Sequence, residues 1–213
     1  MLYLLKATCS VSKQTLGAFF LFSGVLAATA DADSHHNEDI IASTIQKHSQ
    51  IPESTLVTVQ QCKIEIVVRY SEHNNCSRPQ SADFSRTLLS LKEIDEIRIG
   101  DAGSGRIALH FIFTSDVSRK LEKATEIWRR DKISDEPTTI DSLEEEPTIQ
   151  AFGFLHNSNV DYRNEVVDCS GVQHFQINST TAHFISLTAT VPKDFFYSIQ
   201  EYYSMCKPTS LSN

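Results

Sequence analysis

Cysteine and histidine offer this sequence its most versatile chemistry. Past residue 30 the cysteines are Cys62, Cys76, Cys169 and Cys206. A zinc site would use thiolates paired at C-x-x-C spacing, and no such pair occurs. An even count in an exported chain reads instead as two disulfides. Four cysteines allow three pairings. Cys62–Cys76 with Cys169–Cys206 is the expected one, because each bridge then brackets one local unit. Cysteines held in bridges leave no thiolate to act as a nucleophile.

His110 and His183 each interrupt an otherwise apolar run. Neutral imidazoles that converge would suit a transition metal. Each lies out of phase with a neighbouring Phe, however, so strand alternation expects both on the outward face. Asp33-Ser34-His35 becomes a metal site on one condition. Cleavage after Ala32 would create a free amine two residues before the imidazole. That amine, two deprotonated amides and His35 form a square-planar nitrogen set suited to Cu(II) or Ni(II). Cleavage after Ala30 moves His35 to position five and removes the set.

Catalytic motifs are absent. No G-x-S-x-G, H-E-x-x-H, G-x-x-x-x-G-K-[ST] or G-x-G-x-x-G is present. Gly103-Ser104-Gly105 is too short for a nucleophile elbow, and the S-x-x-K from Ser10 to Lys13 lies near the N-terminus. Acid–base pairs need no contiguous motif. Glu65, Glu72 and Asp83, dispersed around the first hairpin, are therefore the residues a hydrolase would use. Glu72-His73 is a further adjacent acid and base, expected to be solvated on a loop. Residues 131–147 hold seven acids but lack the D-x-[DN]-x-[DN]-G register of a calcium loop, and read as a solvated linker. Asn75-Cys76-Ser77 and Asn178-Ser179-Thr180 fit the N-glycosylation acceptor pattern. No cofactor is expected.

The N-terminus reads as an export signal. Lys6 and Lys13 precede an apolar run from Leu16 to Ala28, and Ala28-Thr29-Ala30 and Ala30-Asp31-Ala32 offer small-x-small cleavage sites. The run is shorter than the ~20 residues of a spanning helix. Cleavage therefore predicts a periplasmic or secreted product with no stable membrane span. The chain of 213 residues has a net charge of −8. Losing the signal removes lysines and no acid, so the product is more acidic still. That excludes phosphate backbones as partners, since these need a basic surface.

The elements that would position these residues are legible in part. Residues 31–56 form a polar arm with one short amphipathic helix, marked by Ile40, Ile41 and Ile45. Residues 62–70 (CKIEIVVRY) alternate as a half-buried strand. A second strand is expected at 84–91, a short third around Ile97 and Ile99, a turn at 100–105, and a strong strand at 106–113. A helix follows, capped by Thr114 or Ser115, with Val117, Leu121, Ala124 and Trp128 on one face and Arg129, Arg130 and Lys132 at its negative end. The second half is expected to repeat this logic. It would hold a strand at 148–155, a hairpin of 171–177 with 182–191 that sets Phe175 opposite Phe184 and Gln176 opposite His183, and a helix opened by Pro192. The helix stripe is Phe195, Ile199, Tyr202 and Cys206, with Phe196, Tyr197 and Tyr203 as surplus ring surface. His110-Phe111-Ile112 echoes His183-Phe184-Ile185, as a duplication would leave it.

The expected fold class is α+β: antiparallel strands with one packing helix per half, as two related β-hairpin–helix units. The expected division is a signal peptide over 1–30, the arm over 31–56, a first strand–helix unit over 57–130, an acidic linker over 131–147, a second unit over 148–207 and a tail over 208–213. Well-patterned core elements without catalytic motifs point to a non-catalytic module that binds an exported protein or joins an envelope assembly. The alternatives are the carboxylate hydrolase and the Cu/Ni-binding N-terminus.

Overall fold

The computed structural model describes residues 21–70, 81–132, 147–171, 173–188 and 190–207. These form an α+β fold of four helices and eight antiparallel strands in two sheets. The chain divides after His35 into two units. The first is described only through the opening of α1 (Leu21–His48). The second, from His36, carries every contact discussed below.

One sheet has five strands in the order β1-β2-β3-β6-β7: β1 (Thr55–Gln60), β2 (Lys63–Arg69), β3 (Ala82–Ser90), β6 (Arg163–Asp168) and β7 (Gln173–Phe175). The other has three in the order β4-β5-β8: β4 (Ile94–Gly103), β5 (Arg106–Phe113) and β8 (Ala182–Thr188). A 3₁₀ turn, Leu91–Glu93, carries the chain from β3 into β4. α2 (Ser115–Lys132) follows β5, α3 (Pro147–Asn157) precedes β6, and α4 (Lys193–Cys206) ends the described chain. One continuous core contains residues of α1, both sheets, α2, α3 and α4.

The alternation over 106–113 is observed, with Leu109 and Phe111 fully buried. α2 forms where a cap and one apolar stripe coincide: the Thr114 hydroxyl accepts the Val117 N–H at 3.4 Å, and Val117, Leu121 and Ala124 are buried. Pro192 precedes α4 as its N-cap rather than its first residue.

Four expectations are corrected. Residues 31–56 are no loose arm, because Ile41 and Ile45 on α1 are fully buried and residues 55–56 open β1. Residues 148–155 are helical within α3. Ala151 and Leu155, one helical turn apart, are both buried, and Pro147 supplies the first helical position. Residues 171–177 and 182–191 do not pair. β8 finds seven partners on β5, whereas the three-residue β7 pairs with β6 in the other sheet. The disulfide joins Cys62 to Cys206 across a separation of 144 residues, with Cα atoms 5.5 Å apart. Local bracketing misjudged this because the first hairpin and the last helix pack together. Cys169 is also disulfide-bonded, and Cys76 lies outside the described residues.

Cys62 sits at the tip of the β1–β2 hairpin, not in the strand. Gln60 pairs with Lys63, so the loop is Gln61-Cys62, at φ 51° and 62°. Such a turn normally recruits Asn or Gly, and a left-handed residue with a Cβ costs ~1 kcal/mol or more. Three bonds hold the conformation. The Cys62 N–H donates to the Tyr202 hydroxyl at 2.9 Å, its carbonyl accepts the Leu91 N–H at 2.7 Å, and its sulfur is bonded to Cys206. Tyr202 in turn donates to Glu38 on α1 at 2.6 Å. Burial, then the Glu38 carboxylate, holds the Tyr202 phenol protonated well above its ordinary range.

α4 also closes one edge of the three-stranded sheet. Gln200 reaches the Ile97 carbonyl at 3.4 Å, and Tyr203 and Lys207 donate to the Ile94 carbonyl. Unpaired edge groups are thereby satisfied. Tyr202→Phe removes one hydroxyl and leaves the Cys62 N–H and the Glu38 carboxylate without it. It should lower unfolding free energy by about 1–3 kcal/mol in urea titration; an unchanged midpoint would mean the hydroxyl bears no load.

Candidate functional site

The 3₁₀ turn after β3 is where the site begins. Its Glu93 carbonyl accepts the Thr114 N–H at 2.9 Å, which sets the start of α2. The Glu93 carboxylate accepts the main-chain N–H of Asp161 at 2.6 Å and of Tyr162 at 3.0 Å, which sets the entry to β6. Burial raises the Glu93 carboxyl above its ordinary range, while these two donors pull it the other way. One residue thus orients α2 and the β6–β7 ribbon together, through its main-chain carbonyl and its carboxylate.

Between them lies a cleft of about 270 Å³. α2 lines it with Thr125, Trp128 and Arg129, three residues of one helical face. Ala151 of α3 contributes from a second side. Phe175, Gln176, Ile177 and Asn178 line the third, where the chain leaves β7. Trp128 is the protein's only tryptophan. Its stripe-mates Val117, Leu121 and Ala124 are buried, but Trp128 is 37% exposed. The Phe175 ring meets Phe152 edge-on at 5.7 Å, and Arg163 lies 5.1 Å over the Phe152 ring, so this wall is braced from behind. Aromatic surface, one guanidinium and two side-chain amides can hold an apolar group and orient a polar one. No acid or base lines the cleft among the described residues, apart from Arg129.

The sequence-based site residues scatter. His110 and His183 sit on adjacent antiparallel strands, but His110 pairs with Phe184 and His183 with Phe111. Paired residues share a face, so the two imidazoles lie on opposite faces and cannot share a metal. His110 faces outward, as expected, and the 58%-exposed Phe184 paired with it does so too, against the expected phase. His183 does not: it faces inward beside buried Phe111, with Nδ1 3.2 Å from the buried Tyr162 hydroxyl. Asp33, Ser34 and His35 lie within α1; the square-planar set would require the terminus that cleavage after Ala32 makes. No group of three or more metal-ligating side chains occurs among the described residues.

Glu65 is engaged by Arg86 at 2.5 Å. It pairs across β2–β3 with Leu88, five residues from Asp83, or about 17 Å along the strand. Glu72, His73 and Asn75 lie outside the described residues. Asp83 instead lines a hollow of about 370 Å³ with Val67, Arg69 and Phe84, whose described lining comes from two neighbouring strands alone. A further cluster escaped the sequence: Asp168 accepts the Ser170 hydroxyl at 2.5 Å and meets His174 at 3.2 Å. The carboxylate stands between serine and histidine there, so the imidazole is not placed to take the serine proton. Of the expected surplus rings on α4, only Tyr197 is prominently exposed, at 76%.

Sequence reasoning placed Trp128 in the core stripe and Arg129 at the helix dipole, and put Phe175 in a hairpin. The one available signal was a lone tryptophan at the end of a stripe already filled by three smaller residues. Comparison with known proteins finds no matching family, curated protein or solved structure.

Burial lowers His183 to about 4 from an ordinary 6.5. The unfolded chain takes up this proton below pH 6.5 and the folded chain only near 4, so stability falls as pH drops through that window. From about pH 7 to about pH 5 the linked loss is about 2 kcal/mol. His183→Gln should remove that increment from the pH dependence of urea unfolding. An identical slope in wild type and variant would contradict the buried neutral imidazole.

Proposed function

We propose that this protein is an exported, non-catalytic binding module that captures a partner protein in the cleft between α2, α3 and residues 175–178. The observation that carries this reading is the cleft itself. It sets a partly exposed Trp128 against Phe175 and Ile177 and offers Arg129 and two amides at its margin. Aromatic residues and arginine are the side chains that supply most binding energy at protein surfaces.

Export is supported by the chemistry of the thiols. The Cys62–Cys206 bridge and the bonded state of Cys169 belong to an oxidising compartment. The apolar run before Ala28, followed by small residues, supports cleavage of a signal peptide and a periplasmic or secreted product. No helix among the described residues is long and apolar enough to cross a membrane. The acidic balance argues against nucleic acid as the partner.

A photo-crosslinking residue at position 177 tests the reading in the exported fraction of producing cells. A discrete adduct should form from position 177 and not from position 60, which lies on the first hairpin. Equal labelling from both positions, or none from 177, would contradict a binding role for the cleft.

A further inference from the structure

Successive residues of a strand point to opposite faces. Phe175, Gln176, Ile177 and Asn178 all line the cleft nonetheless. Only Phe175 belongs to β7, and the chain leaves the strand at Gln176, so the cleft follows the chain past the strand's end. β7 is the terminal strand of its sheet, and among the described residues that edge has no neighbouring strand. The Gln176 N–H is used inward, on the Asn164 carbonyl at 2.8 Å. Antiparallel pairing alternates inward and outward groups. The main-chain N–H and C=O of Phe175, the last residue of β7, therefore point away from β6. Across the cleft stands the α2 face that carries Trp128 and Arg129.

An open strand edge facing a helix across an apolar slot is a receptor for an extended peptide. The size and charge of the slot narrow the ligand. About 270 Å³ holds one large side chain and a little main chain, not a long segment. Arg129 is the only charged residue in the described lining, in a protein of net charge −8. A planar guanidinium beside aromatic surface binds a carboxylate through two parallel hydrogen bonds.

We propose that the cleft receives the C-terminal end of a partner protein. The partner's last residues extend the five-stranded sheet at Phe175, its apolar final side chain lies against Trp128 and Phe175, and its terminal carboxylate pairs with Arg129. This assignment rests on the cleft being the binding site and adds which part of the partner enters it.

Trp128, as the only tryptophan, makes the test site-specific. The purified full chain is titrated with short peptides ending in Leu, Val or Phe, each as the free acid and as the C-terminal amide, while tryptophan emission is followed. At least one free acid should shift the emission saturably, and its amide should bind about tenfold or more weakly. Arg129→Gln should bring the acid down to the level of the amide and leave the amide unchanged. N-methylation of the peptide nitrogens that face the strand should abolish binding. Equal binding of acid and amide overturns the proposal. So does silence of Trp128 towards every peptide while the adduct from position 177 still forms, and in that case the cleft remains a binding site for some other part of the partner. Loss of both signals overturns the cleft reading as well.

Discussion

Cys62 spends its bonding groups on two elements, the N–H and the sulfur on α4 and the carbonyl on the end of the β3 connection. Its N–H meets Tyr202 of α4, its carbonyl meets Leu91 at the end of the β3 connection, and its sulfur is bonded to Cys206. The hairpin tip must adopt left-handed backbone at two non-glycine residues to permit this. A bridge that closes so long a loop contributes about 4–5 kcal/mol in the loop-entropy account, whose mechanism is model-dependent. That is several times the local cost of one left-handed residue. The same contact anchors α1, because Tyr202 donates to Glu38 and Asn37 donates to Glu201 one residue before it.

From Cys62 the constraint passes along covalent and hydrogen-bonded neighbours to the cleft. Leu91 opens the 3₁₀ turn that ends in Glu93. Glu93 then fixes the first turn of α2 through its carbonyl and the entry to β6 through its carboxylate. α2 carries Trp128 and Arg129, and β6 holds β7 and Gln176 in register, from which the chain runs on into residues 177–178. The cleft walls are thus distant in sequence but share one support. Tyr162 beside Glu93 packs on Phe113 at 4.8 Å and meets His183, so the same junction ties the five-stranded sheet to the three-stranded one.

The parts legible in the sequence were those governed by a local period. Strand alternation at 106–113 and the stripe of α2 from Val117 through Ala124 depend on burial of one face, and both are present, whereas the next stripe residue, Trp128, is exposed. The failures occurred where a short apolar run carries no period of its own. TIQAFGFL suits a strand or a helix, and Pro147 together with the burial of Ala151 and Leu155 decides it. β8 was assigned the nearest partner in sequence, but a three-residue strand offers less pairing than β5 does. The echo between His110-Phe111-Ile112 and His183-Phe184-Ile185, read as the mark of a duplication, falls on two strands that pair. It gave no hint that antiparallel pairing would put the two histidines on opposite faces. The cleft was invisible for a related reason: its walls come from α2, α3 and the chain after β7, and no local pattern records their meeting.

Backbone hydrogen exchange on a Cys62→Ser/Cys206→Ser variant tests this chain of support most directly. The account predicts that the amides of α4, of Leu91 and of Thr114 lose protection together, because each depends on the hairpin tip being held. Loss confined to α4, with Leu91 and Thr114 protected as in the wild type, would contradict it.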